Sequence, residues 1–245
     1  MKYIITNNLC IPQYNKDGNI IRTSRSFICR NRSLSRQSIN LIKTYWKDIG
    51  IDFKKKKIDC SSMFDNVDNP IILEVGFGDG SSLINSALMY KNYNILGVEV
   101  YIPSIPKIIH KLFLEGKCIN NIKVILHDVV EVLQYMICNN SIHIIQFFFP
   151  DPWVKLRHHK RRILNISVIN LVCTKLVPGG ILHIITDCKS YYHSIVDITN
   201  GIQNLKNISE FYCLSYYSGF LSTRFAQKAL LKNNKIYNLI FICVK

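Results

Sequence analysis

From Pro70 onward, short apolar runs alternate with stretches whose apolar residues recur every three or four positions. The runs Ile71–Val75, Ile95–Val100, Val124–Leu126, Ile142–Phe149 and Ile181–Thr186 read as strands. Between them, Ser81–Tyr90 places Leu83, Ile84, Ala87 and Leu88 on one helical face. Pro103–Leu114 does the same with Ile105, Ile108, Ile109, Leu112 and Phe113, and stops near Gly116. Val130, Leu133 and Ile137 suggest a helix after the third strand. A helix through Ile163–Lys175 is expected to end at Pro178-Gly179-Gly180. This alternation predicts an α/β fold with a doubly wound, mostly parallel sheet. Strands that are apolar throughout fit a sheet covered on both faces. The end of the chain breaks the rule: Phe211–Tyr217 and Tyr237–Val244 are both strand-like, with no clear crossover helix between them. Two consecutive strands predict an antiparallel addition to the sheet.

Residues 1–60 differ from the rest. The segment Arg22–Arg32 is basic and polar, cannot bury itself, and reads as an arm. A helix is expected after it, with Ile39, Ile42, Tyr45 and Trp46 near one face. Lys54–Lys57 is a run of four like charges, read either as a solvated loop or as an RNA contact. The expected division is a basic arm and packing helix over 1–60 and a catalytic domain over 61–245.

Charge changes the picture more than composition does. The formal net charge of +15 sets up a field that attracts polyanions, nucleic acid first among them. The nine cysteines include no Cys-x-x-Cys pair, so no zinc site or disulfide framework is expected and they read as small hydrophobes. No apolar run is long enough to cross a bilayer, and the first residues lack the pattern of a secretory signal. The expectation is a cytoplasmic protein, monomeric, with no bound metal.

The richest local motif is Glu74-Val75-Gly76-Phe77-Gly78-Asp79-Gly80, directly after the first strand of the alternating series. Glycines let the chain turn sharply and let a ligand approach the backbone. A dinucleotide fingerprint needs Gly-x-Gly-x-x-Gly, but here Ser81 stands where its third glycine would be. The spacing Gly76-x-Gly78-x-Gly80 instead resembles the class I methyltransferases, whose sheet also carries an antiparallel end. Acidic residues at successive strand ends support S-adenosylmethionine, a sulfonium without phosphate, over a pyrophosphate. Glu99 suits the ribose hydroxyls, Asp128 the adenine edge, and Glu74 the methionine ammonium.

A reaction-site candidate follows the fourth strand, in Phe148-Phe149-Pro150-Asp151-Pro152-Trp153. Two prolines fix the backbone around Asp151. Lys155, Arg157, His158, His159, Lys160, Arg161 and Arg162 come next, where a phosphate backbone would have to pass. Positive charge at a helix start is unfavourable by itself, which argues for an external anion. The arm, including Arg25 and Arg30, and the cluster Arg157, Lys160, Arg161 and Arg162 are expected to meet nucleic-acid phosphates.

These residues resemble the bacterial tRNA (guanine-N7-)-methyltransferases. The matching pieces are Arg25-Ser26-Phe27, the Glu74–Gly80 loop, His127-Asp128, the Pro150-Asp151-Pro152-Trp153 segment with Lys160-Arg161-Arg162, Thr186-Asp187 and Thr223-Arg224-Phe225. They occur in family order over about nine-tenths of the chain. The resemblance implies methyl transfer from S-adenosylmethionine to guanine N7 in the tRNA variable loop. It assigns cofactor contacts to Glu74, Glu99, Asp128 and Asp151, beside Gly76, Gly78 and Gly80. It makes Asp151 the catalytic residue, and Lys155, Asp187, Thr223, Arg224 and Phe225 substrate contacts. One departure matters: Ala226 stands where the family usually has glutamate.

Guanine N7 carries a free lone pair, so attack on the methyl group needs no general base. A fixed carboxylate can stabilise the positive charge that moves onto the purine. The competing readings are a non-catalytic RNA-binding protein that keeps the fold, a dehydrogenase, and a methyltransferase acting on another RNA or atom.

Overall fold

A computed structural model describes residues 26–27, 34–116, 119–211 and 223–245. Arg25, Arg30, most of the basic arm and positions 212–217 of the expected strand lie outside these residues. Among the described residues, eight strands form one sheet in the order β1-β4-β3-β2-β5-β6-β8-β7. The strands are β1 (Gly50–Ile51), β2 (Ile71–Val75), β3 (Asn94–Glu99), β4 (Ile122–Leu126), β5 (Ile142–Phe148), β6 (Leu176–Thr186), β7 (Leu205–Asn207) and β8 (Tyr237–Cys243). Neighbours from β1 to β6 are parallel, while β8 runs antiparallel to both β6 and β7. The antiparallel addition is present.

Alternation along each strand divides the core. Ile72, Ile95 and Ile144 face helices α1 (Arg36–Ile49), α2 (Ser81–Met89) and α3 (Ser104–Ile109), packing on Ile42, Trp46, Leu83, Ile84 and Ile105. Leu73, Leu96, Ile145 and Leu182 face the other way. There they meet α4 (Val129–Glu131), α5 (Ile166–Lys175) and α6 (Lys189–Asn200), through Val129, Ile169, Val172, Tyr191 and Ile195. The sheet is thus doubly wound, as its apolar strands required. A third, small cluster joins Phe148, Phe149 and Ile185 to Ala226 and Ala229 of α7 (Arg224–Leu231).

Several elements depart from the sequence pattern. Helix α5 begins only after Asn165, whose side chain accepts the N–H of Val168, and it ends at Lys175. Pro178-Gly179-Gly180 does not stop it: these residues lie inside β6, where the pairing with β5 shifts register. Helices α3 and α4 each continue into a π-helical turn, His110–Leu114 and Val132–Met136. Helix α6 was not expected, because its buried residues are only Tyr191, Ile195 and Thr199 in a polar stretch. Helix α1 packs on α3, and β1 joins β4, so residues 36–51 are part of the same body. The lysine run is partly structural. Lys57 Nζ donates to the carbonyls of Gln134 and Ile137, both at 2.7 Å, and closes the end of the α4 π turn. No helix among the described residues is long and apolar enough to cross a membrane.

Candidate active site

The chain leaves β2 in one direction for β3 and β4, then returns on the other side of β2 with β5 and β6. Ligands bind at such a reversal, beyond the carboxyl ends of the strands. A cavity of about 670 Å³ opens there, lined by residues following β2, β3, β4 and β5 and by Phe225.

The glycine loop forms one wall. Gly76 and Gly78 have φ of 73° and 59°, and a Cβ on either would meet nothing within 4 Å. Both line the cavity, so the bare backbone is open to a ligand. Gly80 is held for a different reason. Its φ is 79°, and a Cβ there would come within 2.9 Å of Ile108, so glycine lets α2 start tight against α3.

Glu99, at the end of β3, organises the loop. Its Oε2 accepts the N–H of Gly78 at 2.9 Å, and Oε1 accepts those of Val100 and Tyr101 at 2.8 and 2.9 Å. Burial raises its pKa, against the pull of these three N–H groups. Two carboxylate oxygens retain room for a further donor on the cavity side. Asp128 caps α4, accepting the N–H of Val130 at 3.0 Å, and also lines the cavity. Beside it, His127 stacks on Phe53 with centroids 3.7 Å apart and reaches Glu131 at 2.6 Å.

Glu74 differs from the arrangement expected. Being on the α2 side of β2, it turns under the loop, accepts a hydrogen bond from Ser82 Oγ, and does not line the cavity. Burial pushes its carboxyl up to about 7. Its Oε2 is buried without a hydrogen-bond partner among the described atoms.

The loop after β5 is strongly constrained. Phe149 and Trp153 have φ of 50° and 45°, a left-handed conformation that side chains other than glycine's rarely adopt. Asp151 lies between them, exposed and on the cavity wall. Its supports come from several directions. Phe149 N–H donates to the Ile185 carbonyl at 2.8 Å, and Trp153 Nε1 donates to the Ser26 carbonyl at 3.2 Å. Arg162 Nε donates to the Pro152 carbonyl at 2.9 Å.

The basic run therefore divides. Lys155, Arg157 and Lys160 are exposed, on or beside a short 3₁₀ helix, Leu156–Arg161. Arg161 lies over the Trp153 ring, 5.0 Å from its centroid. Arg162 corrects the expectation of a phosphate contact. It is 5% exposed, with one arm on Ser190 Oγ at 3.1 Å and its plane over the Tyr191 ring.

Of the expected substrate contacts, Phe225 lines the cavity and stacks near Phe149, at 6.3 Å and 19°. Thr223 caps α7 by accepting the Ala226 N–H at 3.0 Å. Arg224 reaches Asp79 rather than the cavity. Asp187 accepts from Asn234 Nδ2 at 3.2 Å. Ala226 is fully buried against Phe148, Phe149 and Ile185, a place where a glutamate would need its own partner. Asp79, Lys111 and the Ser26 carbonyl were not singled out in the sequence, since a loop spacer, a helical lysine and a backbone group carry no pattern.

The cavity lining contains Glu99, Asp128 and Asp151 but no lysine or arginine among its described residues, in a chain of net charge +15. That donor set fits a cationic ligand with hydroxyls and an adenine edge, and fits a pyrophosphate badly.

Residues 68–239 match a family described as "Putative methyltransferase". The chain is 42% identical over 236 residues to a tRNA (guanine-N(7)-)-methyltransferase of Buchnera aphidicola from Schizaphis graminum, covering 96% of this chain and 98% of that one. It is 41% identical to the enzyme of that name from Vibrio vulnificus YJ016, covering 81% and 82%. Among solved structures, the aminoglycoside resistance methyltransferase NpmB1 superposes with a TM-score of 0.52 at 13% identity, over 75% of this chain and 90% of that one. That last likeness is one of fold.

Proposed function

Because this chain belongs to the family of tRNA (guanine-N(7)-)-methyltransferases, we propose that it methylates N7 of a guanine in the tRNA variable loop, giving 7-methylguanosine. The observation that carries this reading is the acid-lined cavity, which ends on a carboxylate held between two left-handed residues. S-adenosylmethionine supplies a methyl group on a positively charged sulfur.

The residues divide the work as follows. The Gly76 and Gly78 backbone admits the cofactor, Glu99 takes its ribose hydroxyls, and Asp128 takes the adenine edge. Glu74 supports the first turn of α2 from beneath, through Ser82, and leaves the cavity wall to the other carboxylates. Phe225 and Phe149 hold the purine plane. Asp151 faces the purine as positive charge moves onto it, and a fixed carboxylate lowers the energy of that charge most where water is excluded. No proton has to leave N7, so positioning and charge supply the rate. Lys155, Arg157, Lys160 and Arg161, with Arg25 and Arg30 of the arm, meet the phosphate backbone. The catalytic domain is residues 61–245 together with α1 and β1, which belong to the same body, and the site of action is the cytoplasm, where tRNA is found.

The test is mass spectrometry of tRNA nucleosides after incubation with the protein and isotope-labelled S-adenosylmethionine. Labelled 7-methylguanosine is expected. Label in another nucleoside, or in none, overturns the reading.

A further inference from the structure

The glycine loop and helix α7 lie far apart in the chain, and one carboxylate joins them. Asp79 Oδ2 lies 3.1 Å from Lys111 Nζ and 3.5 Å from Arg224 Nε. Its Oδ1 accepts the Ser81 N–H at 3.2 Å, and Lys111 also donates to Ser81 Oγ. The carboxylate is thus fixed by the loop, the start of α2 and the π turn after α3, independently of Arg224. Burial alone would raise its pKa, but Lys111 and Ser81 outweigh it and hold the carboxyl below its usual range. Asp79 is therefore a fixed anion, 17% exposed at its side chain, opposite an arginine that is 70% exposed.

What Arg224 steadies is the residue beside it. Phe225 lines the cavity and stacks near Phe149. Among the described residues, helix α7 is buried at the small side chains of Ala226 and Ala229. Ala226 brings no carboxylate to this helix; Asp79 brings one from the loop that meets the cofactor.

We infer that Asp79 is a positioning residue that couples the cofactor loop to the wall receiving the guanine, by holding Arg224 and thereby setting Phe225. The inference rests on the reading of the site as a tRNA guanine methyltransferase. A ligand on Gly76 and Gly78 steadies the loop; Asp79 follows the loop, and Arg224 follows Asp79. The coupling is reciprocal, so cofactor and tRNA each tighten the other. Such a half-exposed pair adds little to fold stability, so its effect appears in the coupling rather than in the melting temperature.

The experiment is a double-mutant cycle on the full chain with Asp79→Asn, Arg224→Gln and their combination, plus Asp79→Glu. It reads tRNA affinity with and without S-adenosylhomocysteine, KM and kcat for methyl transfer, and thermal melting. For the unaltered protein, S-adenosylhomocysteine is expected to tighten tRNA binding by about fivefold. Each single variant loses that gain and raises KM for tRNA, the double variant loses no more than either single, and Asp79→Glu restores part of it. The melting temperatures stay close together, which separates lost coupling from lost fold. An additive double variant, a gain that survives Asp79→Asn, or no gain in the unaltered protein overturns the inference. Absence of 7-methylguanosine with the cycle intact would instead remove the functional reading and leave the Asp79–Arg224 link standing.

Discussion

Arg162 donates its Nε–H to the carbonyl of Pro152 at 2.9 Å, so a cation from the basic run holds the Asp151 loop from inside the protein. Its neighbour Arg161 lies outside, over the Trp153 ring. The two arginines should therefore fail differently. Arg162→Ala removes charge-assisted hydrogen bonds from a buried guanidinium to the half-buried Pro152 carbonyl and the Ser190 hydroxyl, and should cost about 2–3 kcal/mol of stability as well as activity. Arg161→Gln should change stability by less than about 0.5 kcal/mol. It should weaken tRNA binding and lower the salt slope by about one. Denaturant titration and binding at several salt concentrations separate them. Equal destabilisation would contradict the division of the run.

Asp151→Ala should retain most of the cofactor affinity, since Glu99, Asp128 and the glycine backbone remain. Methyl transfer should fall by about 10²–10³ in kcat, the usual loss for one group aimed at developing charge. Calorimetry with S-adenosylmethionine and single-turnover kinetics measure the two effects. An unchanged kcat would take Asp151 out of the chemistry.

Gly76 and Gly80 share a left-handed φ but not an environment. Gly76→Ala should lose about 1–2 kcal/mol to backbone strain, and its methyl group projects into the space left for the ligand, so cofactor binding should suffer most. Gly80→Ala adds the clash with Ile108 to the same strain, and should be the less stable of the two in thermal melting.

Two buried groups on the sheet have opposing pH responses. Burial raises Glu74 to about 7 from a usual 4.5. Its contribution is fully present below pH 4.5 and is lost as pH rises through 7, a change on the order of 3 kcal/mol. Burial lowers His183 to about 4 from a usual 6.5. Its contribution is present above pH 6.5 and is lost as pH falls through 4, by a similar amount. The unaltered protein should therefore show a shallow profile over this range as far as these two groups decide it. Glu74→Gln should make stability rise with pH, and His183→Gln should make it fall. Stability curves at several pH values check both signs, and parallel slopes in the two variants would rule out the assignment.

The sequence displayed most clearly what one continuous stretch of chain decides. Ile71–Val75 and Ile142–Phe148 are apolar on both faces because both faces are covered, so the strands were plain. Gly76, Gly78 and Gly80 were visible as a turn, and Asp151 stood out between its prolines. Other features depend on what packs against them. Helix α6 places Tyr191, Ile195 and Ile198 on one face, but polar residues interleave them and only one residue in four is fully buried, so the stretch stands out less than its neighbours. Pro178-Gly179-Gly180 looks like a helix stop and is instead absorbed in β6, where the partner strand shifts register. Glu74 and Arg162 look like a ligand carboxylate and a phosphate cation. Which way each side chain turns was decided by Ser82, Pro152 and Ser190, and spacing does not record those contacts.

The position of β8 bears on how the protein is assembled. It is made after both β6 and β7, yet it sits between them. Until it arrives, β7 has no partner among the described strands, and β6 lacks its antiparallel neighbour. The glycine loop, Glu99, Asp128 and Asp151 are all synthesised by then. Phe225 and Ala226 come only just before β8, so Phe148, Phe149 and Ile185 wait uncovered by them until that stretch is made. An unpaired strand edge beside exposed aromatics is a point of attack for aggregation and a natural hold for a chaperone. The half-made enzyme would carry most of its chemistry and still be the form most in need of protection.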